Sequence, residues 1–305
     1  MNSPAASGVY GSPPDELAAT PAGARQFSPL APGALDWSEI TPGTLGQFVM
    51  LAPPGTLERR YVLAQALTAL MPGAALTALA PKDKGGSRIG AELKGFGCKV
   101  EETGRRHHRI CVARRPETIT GAEEAIGAGS PRLVEAIGLW SQPGVFSWDR
   151  IDPGSALLAS RLPKLSGKGA DLGCGVGFLA LAALKTPAVG RLDLVDIDRR
   201  AVEAARRNIT DPRAQFHWTD AADGDPPLDG LDFIVMNPPF HDAGQEDRGL
   251  GQAFIRRAAR ALRTGGACWL VANRHLPYET VLSSVFKSVR LDHEAGGYKV
   301  YEARK

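Results

Sequence analysis

The stretch LDFIVMNPPFHD, residues 231–242, joins a strand to a group of side chains suited to binding a ligand. Phe233 to Met236 has the apolar composition of a strand. Pro239 cannot continue a sheet ladder, and Pro238 holds Asn237 in an extended conformation, so the strand ends there. The motif is therefore predicted at the carboxyl end of a strand, where open α/β sheets bind their ligands.

The chemistry of this motif suits a planar amine. The Asn237 side-chain oxygen and the Pro238 carbonyl can each accept a hydrogen bond from an NH2 group, and Phe240 can stack on the ring that carries it. An amine held in this way directs its lone pair at an electrophile, and positioning supplies most of the catalysis. Taken alone, the motif is equally compatible with a turn that ends a strand and has no chemical role.

A glycine-rich loop lies upstream, in the string GADLGCGVGFLALAAL at 169–184. Asp171 ends a short strand, and three glycines allow the backbone to turn tightly against a ligand before a helix begins. The spacing does not fit the dinucleotide pattern Gly-x-Gly-x-x-Gly, because Phe178 occupies its last position. Asp-x-Gly-x-Gly-x-Gly is instead the usual loop for S-adenosylmethionine in α/β methyltransferases. The glycines are Gly173, Gly175 and Gly177.

Two further predicted strands end in acidic residues. The first, residues 191–195, leads into Asp196, about 20 residues after the glycines, where a carboxylate can accept both ribose hydroxyls of a nucleoside. The second, residues 215–218, precedes Asp220, which can accept a hydrogen bond from an adenine amino group. Either Asp alone is a common turn residue. Together with the glycine loop and Asn237, on successive strands, they favour methyl transfer.

Motifs that recur in the same order near both ends of the chain predict an internal duplication of one α/β half-sheet. In the first copy Ala52 replaces Asn237 and Gly55 replaces Phe240, and no glycine-rich loop precedes them. We therefore predict a first copy that has the fold without the chemistry. The matching pairs are QFVMLAPPG at 47–55 with DFIVMNPPF at 232–240, ALMPGAALTALA at 69–80 with ALRTGGACWLVA at 261–272, and HRICVARR at 108–115 with YKVYEARK at 298–305.

Linker-like composition between the copies predicts the domain boundary. We place one domain at 1–130 and the other at 131–305. The composition of residues 1–15 predicts mobile chain. Residues 133–140 have the pattern of a short helix, and Asp152 is the expected cap of a helix that precedes the second sheet.

Composition places the chain among globular proteins, with 43% apolar and 23% charged residues. No apolar run is long enough to span a bilayer, and the first residues lack the features of a secretory signal. The four cysteines are scattered without metal spacing, which predicts a reduced, cytoplasmic protein without a bound metal.

Positive charge is concentrated in one block. Residues 58–115 carry 12 Lys and Arg against 5 Asp and Glu, although the whole chain has a net charge of only +3. Such a block fits a nucleic-acid backbone, and a solvated surface is an equal alternative. His107, His108 and His241 have no role that the sequence assigns.

The motifs together resemble a known family. GVFSWDRIDPGS, DLGCGVG, VDID, NPPFHD and YKVYEA resemble the small-domain class I methyltransferases, and more closely the bacterial 16S ribosomal RNA guanine-N(2) methyltransferases. Those proteins also carry a degenerate amino-terminal copy of the fold. The resemblance implies two tandem Rossmann-like α/β domains of the class I methyltransferase type, the amino-terminal one degenerate and the carboxyl-terminal one catalytic.

The resemblance also implies residue roles. The three glycines hold the methionine part of S-adenosylmethionine with Asp171 near its ammonium group, while Asp196 takes the ribose and Asp220 the adenine. Asn237, Pro238 and Phe240 hold the target base and are the expected catalytic residues. The degenerate domain helps to bind RNA and supports the fold. The expected cofactor-binding set is Asp171, Gly173, Gly175, Gly177, Asp196, Asp220 and Asn237.

The predicted function is methyl transfer to the 2-amino group of a guanine in 16S ribosomal RNA by direct in-line attack, with the 30S subunit as the favoured partner. Four alternatives stay open: a guanine of 23S RNA, the 6-amino group of adenine, a protein glutamine amide, or a non-catalytic RNA-binding assembly factor. The expected state is a monomer or a weak homodimer without a membrane or metal partner.

Overall fold

The structure is a computed structural model that describes residues 5–222, 228–239, 241–242, 245–246 and 248–305. The chain divides into two compact units, Met1–Ser130 and Pro131–Lys305. All four cysteines are free thiols with buried side chains. None of the helices in the described ranges is long and apolar enough to cross a membrane.

The first unit contains a six-stranded mixed sheet in the order β2-β1-β3-β4-β6-β5. Strands β1 to β4 are parallel, and β6 and β5 close the sheet as an antiparallel pair. Helices α1, α2 and α3 contribute apolar side chains to the core of this unit. The elements are β1 (Ser7–Tyr10), β2 (Arg25–Gln26), β3 (Leu45–Leu51), α1 (Thr56–Ala69), β4 (Leu70–Pro81), α2 (Gly86–Gly95), β5 (Val100–Arg105), β6 (His108–Arg114) and α3 (Ala122–Gly129).

Strand β1 corrects the prediction that residues 1–15 are mobile. It pairs with both β2 and β3, and Val9 and Tyr10 are buried. The local sequence carries only a weak strand signal, because this strand is stabilised by pairing with its neighbours in the sheet. Composition alone does not reveal that pairing. No helix connects β1 to β2, so this unit lacks a loop and helix of the kind predicted at 173–184.

The second unit contains a seven-stranded mixed sheet in the order β11-β10-β9-β12-β15-β17-β16. Strands β9 to β12 and β15 are parallel, and β17 and β16 form an antiparallel edge. The elements are β7 (Arg132–Val134), β8 (Leu139–Ser141), α4 (Pro153–Arg161), β9 (Gly167–Leu172), α5 (Phe178–Leu184), β10 (Val189–Asp196), α6 (Arg199–Asn208), β11 (Ala214–Trp218), β12 (Leu231–Met236), β13 (His241–Asp242), β14 (Gln245–Glu246), α7 (Arg248–Ala261), β15 (Leu262–Asn273), α8 (Glu279–Val285), β16 (Ser288–Ala295) and β17 (Tyr298–Arg304).

The predicted tandem repeat of an α/β fold is confirmed by these two sheets. Helices α1 and α7 are both 14 residues long, and each leads into a strand of 12 residues, β4 or β15. In both units an antiparallel pair then closes the sheet next to that strand. The repeat therefore extends from the aligned motifs to the order of the strands.

Both faces of the second sheet are covered, which explains the continuous apolar run from Phe233 to Met236 in β12. Phe233 and Val235 pack with Leu158 of α4 and Leu179 of α5, whereas Ile234 belongs to the core cluster on α7 and α8. A parallel strand buried on both faces has no polar positions to alternate. Burial on both faces fixes the register of β12 against its neighbouring strands. That register sets where Asn237 leaves the edge of the sheet.

The helix predicted over 133–140 is wrong, because β7 and β8 form a short hairpin there. Gly138 turns the chain with a φ of 65°. The Asn208 side chain of α6 pairs with the backbone of Trp140, accepting from its N–H at 2.7 Å and donating to its carbonyl at 3.0 Å. This long-range pairing stabilises the extended backbone and has no signature in the local sequence.

Candidate active site

The site lies at the point where the strand order of the second sheet reverses. Strand β9 lies between β10 and β12, with Leu172 paired to both Val195 and Met236. The residues that follow these three positions, Gly173, Asp196 and Asn237, therefore leave the sheet along one edge. This is the place where doubly wound sheets bind ligands.

All three glycines of the loop adopt conformations that favour glycine. Gly173, Gly175 and Gly177 have φ values of 72°, 52° and 88°. A Cβ atom on Gly177 would lie 2.8 Å from Cδ1 of Ile209, so this glycine also allows close packing against the end of α6. Gly175 faces open space instead. The loop thus presents bare backbone at its centre, as required for close approach to a ligand.

Asp196 holds the loop in place. Its Oδ2 accepts the backbone N–H of Gly175 at 2.8 Å, and its Oδ1 accepts that of Asp198 at 2.9 Å. Burial raises the pKa of Asp196 to about 6, partly offset by these hydrogen bonds. Each carboxylate oxygen has a second lone pair, so both can still accept a ligand hydroxyl.

Asp171 is fully buried and is not among the residues that line the cleft beside the loop. Among the described residues neither carboxyl oxygen has a partner in full hydrogen-bond geometry, although the backbone N–H of Ala180 is near enough to affect its pKa. Burial raises its pKa to about 8, the N–H of Ala180 opposes that shift, and the charge of Asp196 adds to it. The buried surroundings of Asp171 therefore favour its protonated form. Its contact with an ammonium group stays a prediction.

Asp220 follows β11 and forms a turn of its own, with its Oδ1 accepting the N–H of Ala222 at 2.8 Å. Strands β10 and β11 are parallel, with Asp196 paired to Trp218. Asp220 therefore lies on the same edge of the sheet, two residues beyond that pair. A role toward adenine is compatible with this position and stays a prediction.

The side chain of Asn237 is held by helix α4. Its Nδ2 donates to Oδ2 of Asp152 at 2.9 Å and to Oγ of Ser155 at 3.0 Å. Asp152 is the predicted cap of this helix and also accepts the N–H of Ser155 at 2.7 Å. The sequence indicated the cap, but it gave no sign that the same carboxylate reaches a residue 85 positions away.

Close packing of α4 against the sheet makes this contact possible. Gly154 is buried, and a Cβ atom there would lie 2.8 Å from the ring of Tyr298 in β17 and 3.1 Å from Oδ2 of Asp152. Only glycine lets the first turn of α4 approach the sheet so closely. This approach places Asp152 within reach of Asn237.

The glycine loop and Asn237 line one cleft, together with the segment that leads into α4. Phe146 lines the cleft although 59% of its surface is exposed, and its neighbour Ser147 has a φ of 49°. Sequence reasoning did not single out either residue. Pro238 is buried directly after Asn237. Phe240 lies outside the described residues, as does the side chain of His241.

The corresponding position of the first unit is filled by its own arginine. Arg59 of α1 is fully buried and donates to both carboxylate oxygens of Glu92 at 2.8 Å. Its Nη1 donates to the carbonyls of Pro53, at 3.3 Å, and Pro54, at 2.7 Å. These prolines are the counterparts of Pro238 and Pro239. The first copy thus satisfies its proline carbonyls internally.

The basic block of the first unit surrounds a strained hairpin. Arg106 and His107 form the two-residue turn between β5 and β6 with φ values of 45° and 60°. Such turns favour Asn and Gly. The carbonyl of His107 accepts the N–H of Lys82 at 2.9 Å, which joins the turn to the loop before α2. The exposed cations here are Lys82, Arg88, Arg105 and Arg106, and Arg106 also pairs with Glu16 at 2.7 Å.

No group of three or more His, Cys, Asp or Glu side chains in the described ranges is arranged to hold a metal ion. The sheet order, the glycine loop at its reversal point and the Asn-Pro-Pro strand end define a class I methyltransferase fold. The sequence profile of the methyltransferase small domain matches residues 136–302, and the chain belongs to this family.

Individual relatives agree with the family. The ribosomal RNA small subunit methyltransferase C of Shewanella amazonensis is 33% identical over 253 residues, which cover 80% of this chain and 73% of the relative. That of Shewanella sediminis is 38% identical over 161 residues, 52% of this chain and 46% of the relative. In the latter alignment the chain spans about half the length of the relative.

A solved structure matches over both units. It is the T. thermophilus 16S rRNA N2 G1207 methyltransferase in complex with AdoMet and guanosine, with a TM-score of 0.74 and 28% identity. The match covers 93% of this chain and 77% of the other. The likeness therefore includes the amino-terminal unit as well as the family domain.

Proposed function

We propose that the protein transfers a methyl group from S-adenosylmethionine to the exocyclic 2-amino group of a guanine in 16S ribosomal RNA. One observation carries the proposal: the glycine loop and the Asn237 carboxamide line the same cleft. The relatives named as small subunit methyltransferases support the substrate, as does the N2-guanine specificity of the T. thermophilus enzyme.

The residues present fit the cofactor. Gly175 faces open space in a left-handed conformation, so bare backbone is available to the methionine part. The spare lone pairs of Asp196 accept the ribose hydroxyls, and Asp220 accepts from the adenine amino group. When bound, S-adenosylmethionine supplies a methyl group that is already activated by its positive sulfur.

Asn237 then positions the amine. Its Oδ1 and the carbonyl of Pro238 accept the two N–H groups of the guanine amine, which directs the nitrogen lone pair into the cleft. As the N–CH3 bond formed and the S–CH3 bond broke, positive charge would develop on this nitrogen, and the two oxygens would stabilise it without reorganisation. S-adenosylhomocysteine would leave, and the methylated amine would become neutral by losing one proton to solvent. Phe240, which lies outside the described residues, stacks on the guanine ring.

The substrate base must be unpaired or flipped out, because an exocyclic amine inside a helix is out of reach. The amino-terminal unit binds the surrounding RNA through the exposed cations around the 105–108 hairpin, because positive side chains attract phosphates whatever the base sequence. The protein recognises the 30S subunit and acts in the cytoplasm.

Mass-spectrometric nucleoside analysis of ribosomal RNA tests this function. RNA from cells with and without the gene is compared, with the small and large subunits separated, and the wild-type gene or an Asn237→Ala variant is returned to the deletion strain. We expect loss of one N(2)-methylguanosine from 16S RNA that only the wild-type gene restores. Loss from 23S RNA, loss of a methyladenosine, or no change in any ribosomal nucleoside would contradict the proposal.

A further inference from the structure

We propose that Asp152 and Ser155 are positioning residues that lock the carboxamide of Asn237 with its oxygen facing the target amine. This inference rests on the proposed function, since it assigns a role in presenting an acceptor to an amine. The observation behind it is the pair of hydrogen bonds from Nδ2 of Asn237, 2.9 Å to Asp152 and 3.0 Å to Ser155.

The chemistry of Asp152 fixes the orientation of the amide. An ionised carboxylate only accepts hydrogen bonds, so the Asn237 atom that faces it has to be the NH2 group. The flipped amide would place Oδ1 against Oδ2 of Asp152, where two oxygens repel. Both hydrogens of the NH2 group have an acceptor on α4, and Oδ1 is directed to the other side.

Without these partners the amide has no preferred orientation. A flipped carboxamide presents hydrogens to an amine that also presents hydrogens, and such a complex cannot form the required bond. Catalysis by a fixed dipole depends on its being oriented before the reaction, because reorientation during the reaction adds to the barrier. The lock therefore acts on the rate of transfer through Asn237.

The anchor is itself rigid. Oδ2 of Asp152 also accepts the backbone N–H of Ser155, so one oxygen both caps α4 and holds Asn237. The buried contact between Gly154 and Tyr298 fixes this turn against the sheet. A helix held at its first turn is a suitable support for an amide that must not rotate.

Four variants separate this role from a general structural one. Ser155→Ala removes one acceptor and leaves the helix cap intact, because the cap uses the backbone N–H of residue 155. Asp152→Asn retains an acceptor oxygen of the same shape. The double variant Asp152→Ala/Ser155→Ala removes both acceptors. Ser160→Ala is the matched control, since this serine lies on the same helix and donates to the carbonyl of Leu157, at 2.7 Å.

Single-turnover methylation of 30S subunits is measured at saturating cofactor and RNA, with the cofactor Kd measured separately by calorimetry. We expect a loss of about tenfold for Ser155→Ala and about 10²-fold for the double variant, the range for a lost preorganised group. Ser160→Ala is expected within about threefold of wild type. Asp152→Asn is expected to lose about tenfold, because an amide at this position can also donate and so no longer excludes the flipped form of Asn237. The cofactor Kd is expected within about threefold throughout, because these changes leave the loop hydrogen bonds intact.

A second readout does not depend on activity. The chain contains four asparagines, Asn2, Asn208, Asn237 and Asn273, so selective ¹⁵N labelling of asparagine yields few side-chain amide signals. The Asn237 pair is assigned by its loss in Asn237→Ala. Its two protons are expected to be well separated and to exchange slowly in the wild type, and to merge toward solvent values in the double variant.

The NMR signals test the hydrogen bonds of Asn237, and the single-turnover rates test their role in methyl transfer. An unchanged Asn237 signal in the double variant overturns the pairing, and a wild-type single-turnover rate in that variant overturns its role in transfer. A double variant that is slow only because its cofactor Kd rises also overturns the proposal. If wild-type protein methylates no guanine of the 30S subunit, the proposed function fails, and the amide signals still decide whether the lock exists.

Discussion

Oδ2 of Asp196 accepts the backbone N–H of Gly175 at 2.8 Å and so ties the centre of the glycine loop to the end of β10. The same carboxylate is buried enough for its pKa to rise to about 6. Its charge strengthens the hydrogen bond that holds the loop, and under the proposed function it also accepts the ribose hydroxyls of the cofactor. The proposed function therefore predicts that cofactor binding depends on pH through Asp196.

We expect the Kd for S-adenosylmethionine to be constant near pH 7 and to rise as the pH falls through about 6, by up to about tenfold per pH unit. The ligand amino group titrates only near pH 8 and does not interfere in this window. Calorimetry between pH 5 and pH 7 measures the effect. In Asp196→Asn the Kd should be higher than in wild type and independent of pH. A wild-type Kd that does not change between pH 5 and pH 7 would show that Asp196 does not bind the cofactor.

Asp171 makes the protein less stable as the pH rises. Its pKa of about 8 in the folded state lies above the usual value near 4. Between these values the unfolded chain is ionised and the folded one protonated, so the free energy of unfolding falls with rising pH, by at most about 1.4 kcal/mol per unit. Asp171→Asn should remove this slope and be more stable than wild type at pH 8. Denaturant unfolding at pH 5 and pH 8 measures it, with exposed Asp83→Asn as the control.

Asn237→Ala should slow methyl transfer by about 10²- to 10³-fold, because it removes a preorganised group that faces the developing charge. The cofactor Kd should change by less than about threefold, since the hydrogen bonds of the glycine loop do not involve Asn237. Single-turnover rates and calorimetry separate the two effects. Asn273→Ala, at the end of β15, is the matched control, and an active Asn237→Ala enzyme would refute the assignment of this residue.

Gly154→Ala should weaken both stability and catalysis. The added methyl group would meet the Tyr298 ring at 2.8 Å, which costs about 1–3 kcal/mol of unfolding free energy as α4 moves away from the sheet. Asp152 moves with it, so transfer should slow by about tenfold to 10²-fold. Gly127→Ala in α3 has open space around the new methyl group and should stabilise by about 0.5–1 kcal/mol. Equal effects of the two substitutions would mean that α4 does not depend on this approach.

Substitutions of Arg59 and Glu92, the buried ion pair of the first unit, should have coupled effects on stability. Arg59→Leu or Glu92→Leu alone leaves a buried charge without its partner, and each should cost about 3–5 kcal/mol of unfolding free energy. The double variant should cost less than either, because no buried charge remains. Denaturant unfolding measures all three. Lys94→Ala breaks an ion pair with Glu102 whose lysine is 58% exposed and should cost less than about 1 kcal/mol.

The sequence predicts the strand ends of the site because their signals are local. Three glycines in one loop, a proline after Asn237 and an acid after each strand are read within a few residues. Parallel pairing then brings Gly173, Asp196 and Asn237 to one edge without further information. The duplication is also visible, since its motifs recur in the same order.

The contacts between distant segments could not be predicted. Asp152 and Asn237 are separated by 85 positions, and their hydrogen bond depends on how closely α4 packs at Gly154. The hairpin at 132–141 depends on Asn208 in the same way. The composition of the first residues likewise conceals a strand that needs the sheet beside it. In each case tertiary pairing overrides a weak local pattern.

The arginine in the first unit makes its loss of chemistry hard to reverse. Restoring an asparagine at Ala52 alone would leave the guanidinium on the carbonyls of Pro53 and Pro54. Removing Arg59 first would leave the buried carboxylate of Glu92 without its partner. Gly85 also fits closely against the guanidinium of Arg59, because a Cβ atom on Gly85 would overlap that group. Freeing these proline carbonyls therefore requires changes at Arg59 and Glu92 together, in addition to an asparagine at position 52.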